Sequence, residues 1–208
     1  MRTHITLCLF TALLVTACAS KSFNPVQHYL SKKSLKLPFG DTVQSCRGYG
    51  CTNIDTITLT KEEWQKIGSP FTSKAKTPQE ERNKIKTAIA SFETIIGEKT
   101  GTAQDKAGTF NKTGNFQQDC VDESINTTIY LLALKNRGHL EFHEILTPQS
   151  RLPFMKWPHQ SATIKDLTTG QKLAVDSWFY DNGQPPVIID FQKWKKGWTP
   201  DNEDEQRS

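Results

Sequence analysis

Apolar residues fall at two different spacings along this chain, helical in its first half and alternating in its second. Ile54, Ile57 and Leu59 precede Thr60-Lys61-Glu62-Glu63, a capping-box start for a short helix bearing Trp64 and Ile67. Thr77-Pro78-Gln79-Glu80 offers a stronger start, with Thr as N-cap, Pro at the first helical position and Glu at the third. Behind it Ile85, Ala88, Ile89, Phe92, Ile95 and Ile96 form an apolar stripe that predicts a helix ending at Gly97. Residues 98–115 are polar and glycine-rich and read as a loop. Asp119 is the expected N-cap of a second long helix beginning at Cys120. Val121, Ile125, Ile129 and Leu132 recur along it, and Asn136-Arg137-Gly138 should end it. From there the period shortens. Leu140–Leu146, His159–Asp166 and Lys172–Tyr180 alternate or are rich in β-formers, separated by Pro153, Pro158 and Thr168-Thr169-Gly170. Asp181-Asn182-Gly183 is a further turn and Val187-Ile188-Ile189 a last short strand. Helices followed by strands predict an α+β domain with an antiparallel sheet.

Both ends depart from this pattern. Ile5–Leu14 is an apolar run behind a weakly basic start, too short to span a bilayer as a helix, and reads as a secretory signal. It ends in Leu14-Val15-Thr16-Ala17-Cys18. Small residues before a cysteine resemble the bacterial lipobox, which implies removal of 1–17 and acylation of Cys18, palmitate included. The alternative is an ordinary signal peptide. Ala19 and Ser20 resemble an outer-membrane address, with the protein facing the periplasm, and two or three acyl chains at one site give a stable membrane anchor. Residues 18–40 mix Ser, Lys and Pro without periodicity and read as a tether, and the acidic stretch 201–208 as a disordered tail, leaving one domain over 41–200. A chain of 208 residues suits that single core. With 26 Lys+Arg against 22 Asp+Glu, scattered rather than striped, no nucleic-acid partner is expected. The absence of a second apolar run excludes a polytopic membrane protein.

The five cysteines divide by position. Cys8 leaves with the signal and Cys18 takes the lipid. Cys46-Arg47-Gly48-Tyr49-Gly50-Cys51 is suited to a small disulfide ring in an oxidising compartment, worth about 2 kcal/mol, with a metal knuckle as the rival reading. Cys120 then remains as an unpaired thiol at a helix start, where the macrodipole favours a thiolate. Asp119, Asp122 and Glu123 oppose that by crowding it with negative charge. His159 opens one expected strand and Asp176 lies in the next. If Asp166 pairs with Gln171, Ser161 faces Asp176, and His159 and Asp176 become diagonal neighbours on one face. A slip of one residue would separate them. An imidazole there can take the thiol proton, and a carboxylate can orient the imidazole.

The order Gln118-Asp119-Cys120-Val121-Asp122, a helix, His159 in a hairpin and Ala174-Val175-Asp176-Ser177-Trp178 resembles the transglutaminase-like superfamily of papain-like Cys-His-Asp proteins. The resemblance covers about residues 77–198. It implies a nucleophile-bearing helix packed on an antiparallel β-sheet, and Cys120, His159 and Asp176 as catalytic residues. It also implies a cysteine peptidase, amidase or acyltransferase acting without a cofactor on a peptide, protein or peptidoglycan stem. The Cys120 backbone N–H, with Gln117 or Gln118, is the expected oxyanion donor. The alternative is a catalytically inactive relative that serves as a protein-binding or envelope-assembly module. His139, Glu141 and His143 suggest a metal only if a fourth ligand joins them. The sequons at Asn111 and Asn126 carry little weight in a lipobox protein, and Asn126 should lie inside a helix. Trp157, Trp178, Trp194 and Trp198 are expected to form core and cleft wall.

Overall fold

The structure is a computed structural model that describes residues 23–109, 114–152 and 158–201. Its centre is helix α4 (Cys120–Asn136), buried nearly all round, with Ile125, Ile129, Leu131 and Leu134 wholly out of solvent. A helix buried on every side, with Asp122, Glu123, Asn126 and Thr128 hidden among its apolar residues, needs neighbours on every side. One flank packs on an antiparallel sheet of β3 (His143–Arg151), β4 (His159–Asp166), β5 (Lys172–Asp176) and β6 (Val187–Asp190), in that order. Ala162, Ile164, Ala174 and Val175 are the sheet's fully buried aliphatic residues. The other flank meets the hairpin of β1 (Thr42–Arg47) and β2 (Asn53–Thr58), and helix α3 (Pro78–Thr100), whose Phe92 stacks on Tyr130 at 4.7 Å. Helix α2 (Lys61–Gly68) leans on α3 through Trp64, edge-on to Phe92, and α5 (Phe191–Lys195) follows β6 directly. The molecule is α+β with antiparallel sheets.

Local signals locate the helix starts. Thr60 and Glu63 complete a capping box, Thr77 accepts the Glu80 N–H with Pro78 behind it, and Asp119 and Asp122 form a second box before α4. The expected hairpin register also holds: Ala162 pairs with Val175, and the Asp166 N–H reaches the Gln171 carbonyl at 2.9 Å.

Four expectations need correction. The stretch 18–40 is not a tether throughout, because Pro25–Lys32 forms helix α1 with Asn24 as N-cap, and Val26, Leu30 and Leu35 enter the core. So short a helix shows only two apolar positions, too few for a period. Helix α3 runs past Gly97 to Thr100 and ends at Gly101, whose φ of 85° is left-handed. Gly97 instead permits a close approach, since a β-carbon there would sit 3.0 Å from the Ala103 nitrogen. The third strand begins at His143 rather than Leu140, and β5 stops at Asp176, where residues 177–180 turn away.

Candidate active site

Cys120 occupies the first turn of α4 and is 7% exposed. Asp119 holds that turn, accepting the Val121 and Asp122 N–H groups at 3.0 and 2.9 Å. The Cys120 sulfur accepts the backbone N–H of Gln160, which joins the helix start to β4 one residue beyond His159. His159 in turn bonds Asp176 through Nε2 and Oδ2 at 2.7 Å, across the diagonal set by the register. Trp194 donates its indole N–H to the same carboxylate oxygen at 2.7 Å. With a carboxylate as its partner, Nε2 carries the imidazole proton and Nδ1 keeps the free lone pair. That Nδ1 is buried and has no partner among the described residues. Trp178, Phe179 and Trp194 surround the ring at 4.7, 5.2 and 5.7 Å, and Trp198 stands edge-on to Phe179. Trp194 and Trp198 are buried, as their expected core role requires, and water is largely kept from the imidazole.

Burial pushes the Cys120 thiol up to about 11, and the charges of Asp119 and Asp176 add to it. The Gln160 N–H works in the other direction. At neutral pH the resting Cys120 is therefore a thiol, because desolvation outweighs the helix dipole.

A group of buried carboxyls adjoins the triad through Ser177. Its hydroxyl lies 3.1 Å from that of Thr127 and bonds Glu93, which burial pushes up to about 8. Asp105 is raised to about 6, again chiefly by burial. Glu123 is raised well above the carboxylate range by burial and by the charges of Glu93, Asp105, Asp122 and Asp176. Glu93 and Asp105 carry no signal in a single sequence, since they stand twelve residues apart on either side of a helix end.

Cys46 and Cys51 are bridged, and the ring they close lies against the start of α4. Gly48, Tyr49, Gly50 and Cys51 have φ of 83°, 69°, 67° and 63°, a run of four left-handed residues of which two carry side chains. L-residues resist that region by about 1–2 kcal/mol each. The turn is offset by three successive N–H bonds: Tyr49 and Cys51 to Asp122 at 2.8 and 2.6 Å, and Gly50 to Asp119 at 3.0 Å. Asp122 is nonetheless raised to about 7, by burial first and the Asp119 charge second. Cys46 is pinned from the helix side, its N–H to Asn126 Oδ1 at 2.6 Å and its carbonyl to Asn126 Nδ2 and Gln118 Nε2, both at 2.9 Å. The sequon asparagine is thus a buried clamp. Of the two oxyanion candidates, Gln118 directs its amide to Cys46, while the Gln117 amide donates to the Gln104 carbonyl at 3.1 Å.

Among the described residues one trio has metal-ligand spacing, Cys46, Cys51 and Asp122, and its two sulfurs are bonded to each other. His139, Glu141 and His143 do not converge: His139 stacks on Phe71, Glu141 pairs with Lys74, and His143 bonds Glu81 at 2.8 Å. Cys8, Cys18, Ala19, Ser20, Asn111, Trp157 and the tail beyond Asp201 lie outside the described residues. Among those described, no helix is long and apolar enough to cross a membrane. No family model, curated protein or solved structure matches this chain, so the site is read from its own geometry.

Proposed function

We propose that the protein is a thiol enzyme of the transglutaminase-like, papain-like type that cleaves or transfers amide bonds in peptides or peptidoglycan stems. The observation that carries this reading is His159, bonded to Asp176 through one ring nitrogen, with its other nitrogen buried and unpaired among the described residues, while the Cys120 sulfur accepts the N–H of the next residue along β4, Gln160. In the reaction, Nδ1 accepts the thiol proton as Sγ bonds to the substrate carbonyl carbon. The same proton then passes to the amine nitrogen as the C–N bond breaks, leaving a thioester on Cys120. Water or a second amine attacks the thioester, again giving its proton to Nδ1, and the thiol is restored. Because the thiol is held above its ordinary range, proton transfer accompanies attack instead of preceding it. The Cys120 N–H, at a helix start with no intrahelical acceptor, is the donor available to the developing oxyanion. None of these steps uses a cofactor. Asp176 and Trp194 act through the imidazole. We place the protein at the outer membrane by a lipid on Cys18, on the strength of the Leu14–Cys18 segment and Ala19-Ser20.

A non-catalytic envelope module is the second reading, favoured by the burial and raised pKa of Cys120. The pH dependence of iodoacetamide alkylation at Cys120 separates the two. The enzyme reading expects reactivity near neutral pH that falls roughly tenfold or more in His159→Ala, and less in Asp176→Asn. A single ionisation near 11, unchanged in His159→Ala, leaves a structural cysteine and the scaffold reading.

A further inference from the structure

Arg151 is the last residue of β3 and pairs across the sheet with His159. It is 5% exposed. Among the described residues no carboxylate lies within ion-pair distance of its guanidinium. Its Nη1 donates to the Trp194 carbonyl, and its plane lies over the Trp194 ring at 4.8 Å and toward Phe179 at 5.9 Å. Its Nε is buried and has no partner among the described residues. A guanidinium taken out of water without an anion is costly, and an unpaired buried donor adds to the cost. The rings and the Trp194 carbonyl hold the group still. Its edge bearing Nε–H and an Nη–H is therefore a fixed fork of the shape that fits a carboxylate. The charges of Asp176 and Cys120 both act on it, so this fork stands in the electrostatic field of the triad. Neither of them neutralises it by contact.

We infer that Arg151 receives a carboxylate of the substrate, so that the site selects amides bearing a free carboxylate close to the scissile bond, as in an acidic or C-terminal peptide unit. The inference rests on Cys120 being the reacting group, as proposed above, and narrows the substrate class of that site. Polyanions and uncharged amides fall outside it.

Two measurements test this, and the first does not depend on thiol chemistry. The Arg151 Nε–H resonance of the intact protein is followed by NMR during titration with N-acetylglycine, and separately with its neutral counterpart N-acetylglycinamide. A saturable shift with the acid and none with the amide is the expected result. Equal responses, or no response to the acid, overturn the inference. The second compares alkylation of Cys120 by iodoacetate and by iodoacetamide. Arg151→Gln should lower the iodoacetate rate roughly tenfold relative to the iodoacetamide rate, the loss of one charge-assisted pair, with Arg151→Lys in between. An unchanged ratio in both variants also overturns it, by separating Arg151 from the nucleophile. Failure of both reagents at Cys120 defeats the enzyme reading instead, and the titration alone then decides whether Arg151 binds carboxylates.

Discussion

Glu93→Gln should stabilise the protein at alkaline pH and do little at acid pH. Glu93 projects from α3, 5% exposed, with Oε2 accepting the Gly183 N–H at 3.1 Å and Oε1 buried without a partner. The groups facing it are Asp105 from the loop after α3, Glu123 and Tyr130 from α4, and Ser177 after β5. No cation pairs with it among the described residues. Burial is the main cause of its rise from 4.5 to about 8, and the Asp105 charge adds to it. The sign follows from proton binding. Below about 4.5 the folded and unfolded chains both hold the proton, and Glu93 costs nothing. Between 4.5 and about 8 the unfolded chain releases its proton while the folded one keeps it, so stability falls steadily as pH rises. The full loss, reached above about 8, is on the order of 5 kcal/mol as a ceiling. Water entry and proton sharing with Asp105 and Glu123 bring the expected gain from the neutral amide to about 2–4 kcal/mol at pH 8.5. At pH 5 the change should be within about 1 kcal/mol. Urea unfolding followed by tryptophan fluorescence at both pH values, at fixed ionic strength and with equal m-values, measures the difference. The same effect at both pH values, or a Gln variant less stable than wild type at pH 8.5, would refute the reasoning.

Trp194→Phe keeps most of the ring but removes the N–H that Asp176 accepts. A loss of about 1–3 kcal/mol in unfolding free energy is expected, together with slower alkylation of Cys120 near neutral pH, and a neutral result would mean that water replaces the indole. Cys46→Ser with Cys51→Ser should cost about 2 kcal/mol for so short a ring. Because the left-handed turn then relaxes and its N–H groups leave Asp119 and Asp122, amide exchange should quicken at residues 49–51 and 119–122. Faster exchange at 49–51 alone would show that the turn does not support the helix start. Labelled palmitate should enter the wild type in a Gram-negative host and not Cys18→Ser, and equal labelling of the two would remove the proposed anchor.

How much of this was legible depended on how local each cause is. Caps act over three residues, so the starts of α2, α3 and α4 could be read directly from Thr60/Glu63, Thr77/Glu80 and Asp119/Asp122. Helix α1 is not legible, because Asn24-Pro25 precedes a segment with only Val26 and Leu30 to mark a face. Gly97 misled because a glycine that ends a helix and one that admits a neighbouring backbone look alike in sequence, whereas Gly101, with its φ of 85°, is the terminator.

The sequence by itself determined the starts of α2, α3 and α4, favoured the pairing of Cys46 with Cys51, and offered the β4–β5 register through which His159 and Asp176 meet diagonally. These follow from short-range geometry: a cap, a six-residue ring, a hairpin of known loop length. Only the tertiary structure decided which imidazole nitrogen stays unpaired and that Trp194 shares the Asp176 oxygen. It also brought Arg151 beside the triad without an anion and buried Glu93, Asp105 and Glu123 together. Each of those depends on how completely water is removed from groups far apart in the chain, and desolvation is a property of the packed interior that no local pattern encodes. The thiol shows the division most plainly. Its place at a helix start and its acidic neighbours argued in opposite directions, and burial decided between them, raising it to about 11.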